Sequence, residues 1–303
     1  LFFEGYELRT PRIDTVELTQ IFYPQLEKYN LGILCQELGI PLEQAHSALS
    51  DAQATAELFL CMRQKMFGLP KGLLERLLSL SDSLLYESYL VIEEVYQKQS
   101  LLVEHDLVEV QGLFLRKEKP VLSPRKLSKD FETNIALLGL EERSQQEEFA
   151  QKVQEFLQGE AISFIQAQTG IGKTYGYLLP ALSLENEGGI LLSVPTKILQ
   201  NQVIQEEAKR LEEIFHISTH SLKGPQNYLK LDAFHAALEE EESNRLFTRF
   251  KMQLLVWLTE TDTGDLDEIG QLYRYQQFLP NLVHDGNLHK DSLFWLEDFW
   301  RRG

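Results

Sequence analysis

Cysteine is nearly missing from this sequence of 303 residues: Cys35 and Cys61 are the only two. Two thiols in apolar, helix-patterned contexts make neither a disulfide framework nor a four-cysteine metal site, and they point to a reducing cytoplasmic compartment. Long apolar runs are missing too. No stretch approaches the length of a membrane span, so no membrane partner is expected. The start, Leu1-Phe2-Phe3-Glu4-Gly5, has neither an initiator Met nor a signal-peptide pattern, and Arg301-Arg302-Gly303 carries no sign of closure. The chain is therefore expected to be an internal piece of a longer protein.

Positive charge is the third scarcity, with 29 Lys and Arg against 46 Asp and Glu and a net charge of −17. Neutralising phosphates needs Lys and Arg, so composition alone argues against a nucleic-acid partner. The acid is unevenly spread, however, in Glu141-Glu142, Glu147-Glu148 and Glu239 to Glu242, which read as solvated helix faces. A locally basic groove remains compatible with that pattern. The bulk composition, 43% hydrophobic and 25% charged, suits a globular chain with room for two domains.

The most informative stretch is Ala167-Gln168-Thr169-Gly170-Ile171-Gly172-Lys173-Thr174. The apolar run 161–165 before it reads as a buried strand, and Tyr175 to Leu182 after it reads as a helix. A glycine-rich turn between strand and helix turns backbone N–H groups inward at a helix N-terminus, where partial positive charge favours an anion. In such a P-loop Lys173 reaches the β- and γ-phosphates and Thr174 sets its hydroxyl on Mg²⁺. Ala167 stands where the usual pattern has Gly. Nucleotide binding follows.

The order of elements divides the chain. Ile13 to Leu18 turns into a helix, Tyr29 to Leu38 repeats apolar residues at helical spacing, and a further helix runs from about Ser50 to Met66 before Gly68-Leu69-Pro70. Residues 68–130 read as a connector, with one long amphipathic helix from Leu73 to Tyr96 and an irregular tract through Pro120 and Pro124. After the P-loop helix, 189–194 reads as a second apolar strand, giving a parallel βαβ unit. From Tyr228 onward the pattern is helical and acidic, with Trp257, Trp295 and Trp300.

His46 and Asp51 form a second constellation. In a continuous helix they would lie about 140° apart, so sharing one site requires His46 in the turn before the helix; Ser50 with Gln53 permits such a late start as a capping box. A histidine that deprotonates water beside a carboxylate that holds a divalent ion suits phosphodiester hydrolysis.

Two resemblances join these pieces. Ile13-Asp14-Thr15-Val16-Glu17-Leu18, then Asn30-Leu31 with Leu34, Leu38-Gly39-Ile40 and His46-x-Ala-x-x-Asp51-Ala52 resemble the last third of DEDDh exonucleases of the DnaQ family. The resemblance implies His46 as general base and Asp51 as the last metal-binding carboxylate. Arg143, Gln146, Ala167 to Thr174 and Val194-Pro195-Thr196-Lys197-Ile198-Leu199-Gln200-Asn201-Gln202 resemble the opening motifs of DinG/XPD-type superfamily 2 helicases. It implies that Gln146 contacts adenine, that Ala167, Thr169, Gly170, Ile171, Gly172, Lys173 and Thr174 hold ATP with Mg²⁺ (or Mn²⁺), and that Thr196 and Gln202 lie near a single-strand backbone. Plain helix capping is the other account of Thr196. Many relatives carry an iron–sulfur cysteine after Asn227-Tyr228-Leu229; Lys230 stands there and no cysteine follows, so no cluster is expected.

The fold expected is α/β: the C-terminal part of an RNase H-like exonuclease domain in 1–67, a helical connector in 68–130, the first part of a RecA-like P-loop domain in 131–227, and a helical insertion replacing an iron–sulfur domain in 228–303. Tyr228, Lys230, Arg245, Arg249 and Lys251 are candidates for guiding a strand, and Trp257 and Phe250 are expected in the core. The function expected is part of an ATP-dependent DNA helicase fused to a metal-dependent 3′–5′ exonuclease, acting on single-stranded or forked DNA, with RNA open for the nuclease part. The fragment alone is expected to be inactive. A P-loop small-molecule kinase and an ATP-regulated nuclease or regulatory module without unwinding remain the alternatives.

Overall fold

The computed structural model describes residues 10–42, 47–99, 106–117, 123–159, 162–184, 189–241, 243–287 and 290–299. The chain divides into two compact units, residues 1–118 with 224–303, and residues 119–223.

Local chemistry starts the helices of the first unit. Asp14 accepts from the Glu17 N–H and opens α1 (Thr15–Phe22); Asn30 accepts from the Ile33 N–H and opens α2 (Leu31–Leu38), which Gly39 ends in the left-handed conformation. Helix α3 (Ala48–Phe67) begins two residues before Ser50, with Ser47 at its N-cap, so the late start expected from Ser50 and Gln53 does not occur. The long helix expected from Leu73 to Tyr96 is also two helices, α4 (Lys71–Ser79) and α5 (Tyr89–Lys98). The hydroxyls of Ser79, Ser81 and Ser83 each donate to a backbone carbonyl three residues back, a local competition that breaks the helical ladder. Strands β1 (Leu107–Val110) and β2 (Leu113–Arg116) then form an antiparallel hairpin, closed by Gln111 and Gly112, both at positive φ.

The second unit is helical around two extended segments. It contains α6 (Phe131–Leu137), α7 (Ser144–Leu157), α8 (Lys173–Ser183), α9 (Lys197–Gln202) and α10 (Lys209–Phe215), with a π-helical turn, Val203–Ala208, joining the last two. Ile135, Leu138, Leu178, Leu179, Leu211 and Phe215 make its core. The runs expected as strands do not pair: among the described residues no ladder includes 162–165 or 189–194. Residue 161 lies outside the described residues. Ile162, Phe164 and Leu191 are 89%, 93% and 94% exposed. A parallel strand takes its backbone partners and both covering faces from distant neighbours, so sequence preference alone leaves such a segment extended and bare.

Residues 224–303 return to the first unit with α11 (Leu231–Glu239) and α12 (Arg245–Trp257). Helix α12 is buried around most of its circumference, from Phe250 through Trp257, and packs against α1 and α4. Trp257 and Phe250 are core residues, as expected. Tyr228 and Lys251 are buried as well. Arg249 pairs with Glu17 at 3.5 Å with its side chain 16% exposed, and Lys230 pairs with Asp285 at 3.0 Å. The strand-guiding role expected of these four is corrected by their burial and pairing; only Arg245 of that set is exposed. The β2 edge is fastened to the same segment, with the Arg116 N–H donating to the Leu258 carbonyl and its guanidinium to the Glu260 carbonyl.

Two outcomes follow from this packing. Gly270 donates its N–H to the Pro24 carbonyl, and a Cβ there would sit 1.7 Å from the Leu26 carbonyl oxygen. Gly270→Ala is expected to destabilise the unit by about 1–3 kcal/mol, seen as a lowered thermal midpoint; an unchanged midpoint would mean that 270 and 24–27 are not in contact. Glu260 meets Lys65, yet burial pushes its carboxyl up. A raised folded-state pKa means that the folded form binds the proton more tightly, so stability declines as pH rises from the unfolded value of about 4.3 through the folded one. Wild type should lose thermal stability relative to Glu260→Gln over that rise.

Candidate nucleotide and nucleic-acid site

The loop before α8 owes its shape to two glycines. Gly170 has φ +86° and Gly172, the N-cap of α8, has φ +83°, a region that side-chain-bearing residues adopt only with strain. No side chain caps α8 and no acid stands in its first turn, so the N–H groups of that turn are open to an anion. Lys173 is its first residue. The ammonium folds back onto the carbonyls of Gln168 at 3.2 Å and Ala167 at 3.4 Å.

Helix α7 supports the loop from behind. Gln146 is buried and donates its amide to the Gly172 carbonyl at 2.8 Å, while Arg143 donates to the Gly170 carbonyl at 3.2 Å. A Cβ on residue 172 would fall 2.2 Å from the Gln146 Nε2, so the glycine is required by both conformation and contact. Thr169 and Gly170 are exposed, and Ala167, Ile171 and Thr174 are half-buried. The Thr174 hydroxyl lies with Tyr177 and Glu207, a residue of the π-helical turn. Burial pushes the Tyr177 phenol and the Glu207 carboxyl up; burial also pushes up Tyr175, beside the Arg210 guanidinium. A hard hydroxyl oxygen beside a helix N-terminus and a lysine fits a magnesium–nucleotide complex.

Thr196 caps α9 by accepting from the Leu199 N–H at 3.2 Å, and both Thr196 and Gln202 are exposed. Capping uses one acceptor position of the hydroxyl and leaves the side chain on the surface. A cleft of about 980 Å³ lies on another side of α8, lined by Leu178, Leu182, Ile190, Leu192, Val203 and Leu211, and no P-loop residue lines it. It is apolar where the extended segment 189–194 is bare, and the anion-binding chemistry is elsewhere.

In the other unit, Asp51 is half-exposed in the first turn of α3. Its neighbour Cys35 has its thiol pushed up by burial and then by the Asp51 charge. His46 lies outside the described residues. Among the described residues no group of three His, Cys, Asp or Glu side chains is arranged to hold a metal. Asp51 by itself does not make a metal site. Glu207 is absent from the sequence-based set because only the packing of α8 on the π-helical turn brings it to Thr174, whereas Tyr177, three residues on in α8, is placed there by helical spacing and was overlooked.

Residues 1–59 match the exonuclease family and residues 143–258 match the DEAD/DEAH box helicase family. The order of the two is that of a DinG-type helicase with an exonuclease domain. The chain is similar to the 3′-5′ exonuclease DinG of Staphylococcus saprophyticus, 32% identical over 290 residues, covering 89% of this chain and 32% of the relative. It is similar to the protein of the same name from Staphylococcus aureus strain USA300, 32% identical over 285 residues with the same coverage. The chain thus spans about a third of the length of these relatives. No solved structure gives a significant match. No described helix is long and apolar enough to cross a membrane.

Gly172→Ala tests the loop. Strain on the order of 1–2 kcal/mol at positive φ should lower the thermal midpoint modestly, and displacement of Gln146 should lower the affinity for a fluorescent ATP analogue at least about tenfold.

Proposed function

We propose that this chain is part of an ATP-driven single-strand DNA translocase coupled to a metal-dependent 3′–5′ exonuclease, acting on single-stranded or forked DNA in the cytoplasm. The observation that carries the reading is the loop at α8: two glycines at positive φ, an uncapped helix N-terminus and Lys173 converge where a triphosphate would sit. In this reading the backbone of Ala167 to Gly172 cradles the phosphates, Lys173 neutralises their charge, Thr174 contributes its hydroxyl to Mg²⁺ or Mn²⁺, and Gln146 stands between loop and adenine. Bound Mg²⁺ would supply charge neutralisation of the transferred phosphoryl group.

Thr196 and Gln202, exposed along α9, are assigned to the DNA backbone. Asp51 and His46 are assigned to the nuclease, Asp51 as one of several carboxylates on its metal and His46 as the base that takes a proton from water. Residues 1–67 would be the nuclease part, 68–130 the connector, 131–227 the start of the RecA-like domain and 228–303 an insertion without an iron–sulfur cluster. The bare apolar segments 162–165 and 189–194 support a RecA-like sheet completed by strands from outside this sequence.

Full-length protein on a forked duplex tests the assignment. Lys173→Ala should abolish ATP-dependent strand displacement, and Asp51→Asn should cut digestion by at least about a hundredfold while leaving displacement unchanged. Displacement that survives Lys173→Ala would sink the motor and leave a nuclease regulated by nucleotide or a binding module.

A further inference from the structure

Glu207 stands out among the polar side chains of the second unit. It lies on the π-helical turn Val203–Ala208, six residues that interrupt an otherwise α-helical run from Lys197 to Phe215. A π turn inserts one residue into the helical register and swings the following side chains around the axis, and such turns cluster at functional sites. Here the turn packs on α8 and sets the Glu207 carboxylate beside the Thr174 hydroxyl. Its Oε2 is buried and has no hydrogen-bond partner. Glu206, the preceding acid, points into solvent. A buried carboxylate oxygen left unmatched costs stability, and such a cost persists where a second state of the molecule uses the group.

We propose that Glu207 is a positioning residue of the nucleotide site, which takes the Thr174 hydroxyl proton in a hydrogen bond so that the hydroxyl oxygen faces a divalent cation bound with ATP. A hydroxyl has one proton and two acceptor positions. Directing the proton to Glu207 fixes the rotor and leaves a lone pair turned away from the carboxylate. Tyr177 borders the same hydroxyl. The negative charge of Glu207 also favours a cation within a few ångströms, in a site already half removed from solvent. Gln146 and Arg143 support the P-loop from α7 without help from Glu207, so the loop's phosphate-binding shape does not depend on that carboxylate. Loss of Glu207 should therefore be felt in the metal dependence of binding and little in the metal-free affinity.

This inference rests on the ATP-binding reading, and the experiment separates the two. A fluorescent ATP analogue is titrated into the full-length protein with Mg²⁺ and, separately, with EDTA. For Glu207→Gln the Mg²⁺-dependent gain in affinity should fall at least fivefold, with the EDTA affinity held within twofold of wild type. Thr174→Ala should remove the same gain, and the double variant should lose no more than Thr174→Ala alone. If Glu207→Gln melts early, Glu207→Asp, which keeps the charge on a shorter stem, must show the same selective loss. Wild-type Mg²⁺ dependence in either variant, or equal losses with and without Mg²⁺, overturns the role of Glu207. An unchanged affinity in Lys173→Ala overturns the nucleotide site itself.

Discussion

Burial of α12 is the constraint on which the larger unit depends. A 13-residue helix whose residues from Thr248 to Trp257 are almost all inside has no solvent face to spare, and α1, α4 and the turns around Tyr275 supply its surroundings. Phe250 stacks on Tyr275 with ring centroids 4.2 Å apart, and the Trp257 indole N–H finds the Glu268 carboxylate at 3.1 Å. The polar residues on this helix are partly matched, with Arg249 Nε and Gln253 Oε1 buried and unbonded. Arg249 meets Glu17, which also accepts the Leu85 N–H; Lys251 lies over the Phe247 ring at 4.7 Å; Gln253 reaches the Pro24 carbonyl. Burial raises the Glu17 carboxyl despite Arg249, so the cost of desolvation offsets much of the attraction in this pair.

That packing changes the meaning of the order along the chain. The helicase-family match runs from 143 to 258 and ends with α12. Its last part, from Gly224, is thus core of the unit that carries the exonuclease match, and residues 119–223 enter between two segments of one body. A boundary drawn from composition at Tyr228 falls within a few residues of the point of return at Gly224. What composition cannot reveal is that the returning segment covers the helices left behind, because an amphipathic pattern states which face is apolar and does not name its partner.

Legibility followed locality. The P-loop was readable because Gly170, Gly172 and Lys173 act through their own backbone and helix end, and α1 and α2 because Asp14 and Asn30 cap their own first turns. The break at residues 80–88 was missed because the apolar spacing of α4 continues into α5 in sequence, while serine hydroxyls and the positive φ of Tyr86 end the ladder between them. The runs at 162–165 and 189–194 are apolar and largely bare, and the pairing expected of them does not occur among the described residues, since a ladder is a property of two segments. Glu207 was invisible for the same reason: its distance from Thr174 is set by the packing of two helices.

Charge is the last place where a whole-chain property misleads. Residues 119–223 carry 11 Lys and Arg and 14 Asp and Glu, a net −3 of the chain's −17. The remaining −14 belongs to the unit built on α12, where Arg249, Lys65, Arg63 and Lys230 each pair with one acid. The long-range repulsion inferred from composition is therefore weak around α9, where a Debye length of about 8 Å at physiological salt confines each charge to its neighbours. In the helical run from Lys197 to Phe215, Lys197, Lys209 and Arg210 stand with Glu206, Glu207, Glu212 and Glu213, close to neutral at a net −1. A phosphate backbone approaching α9 meets this local balance, and the acidic total does not bar it.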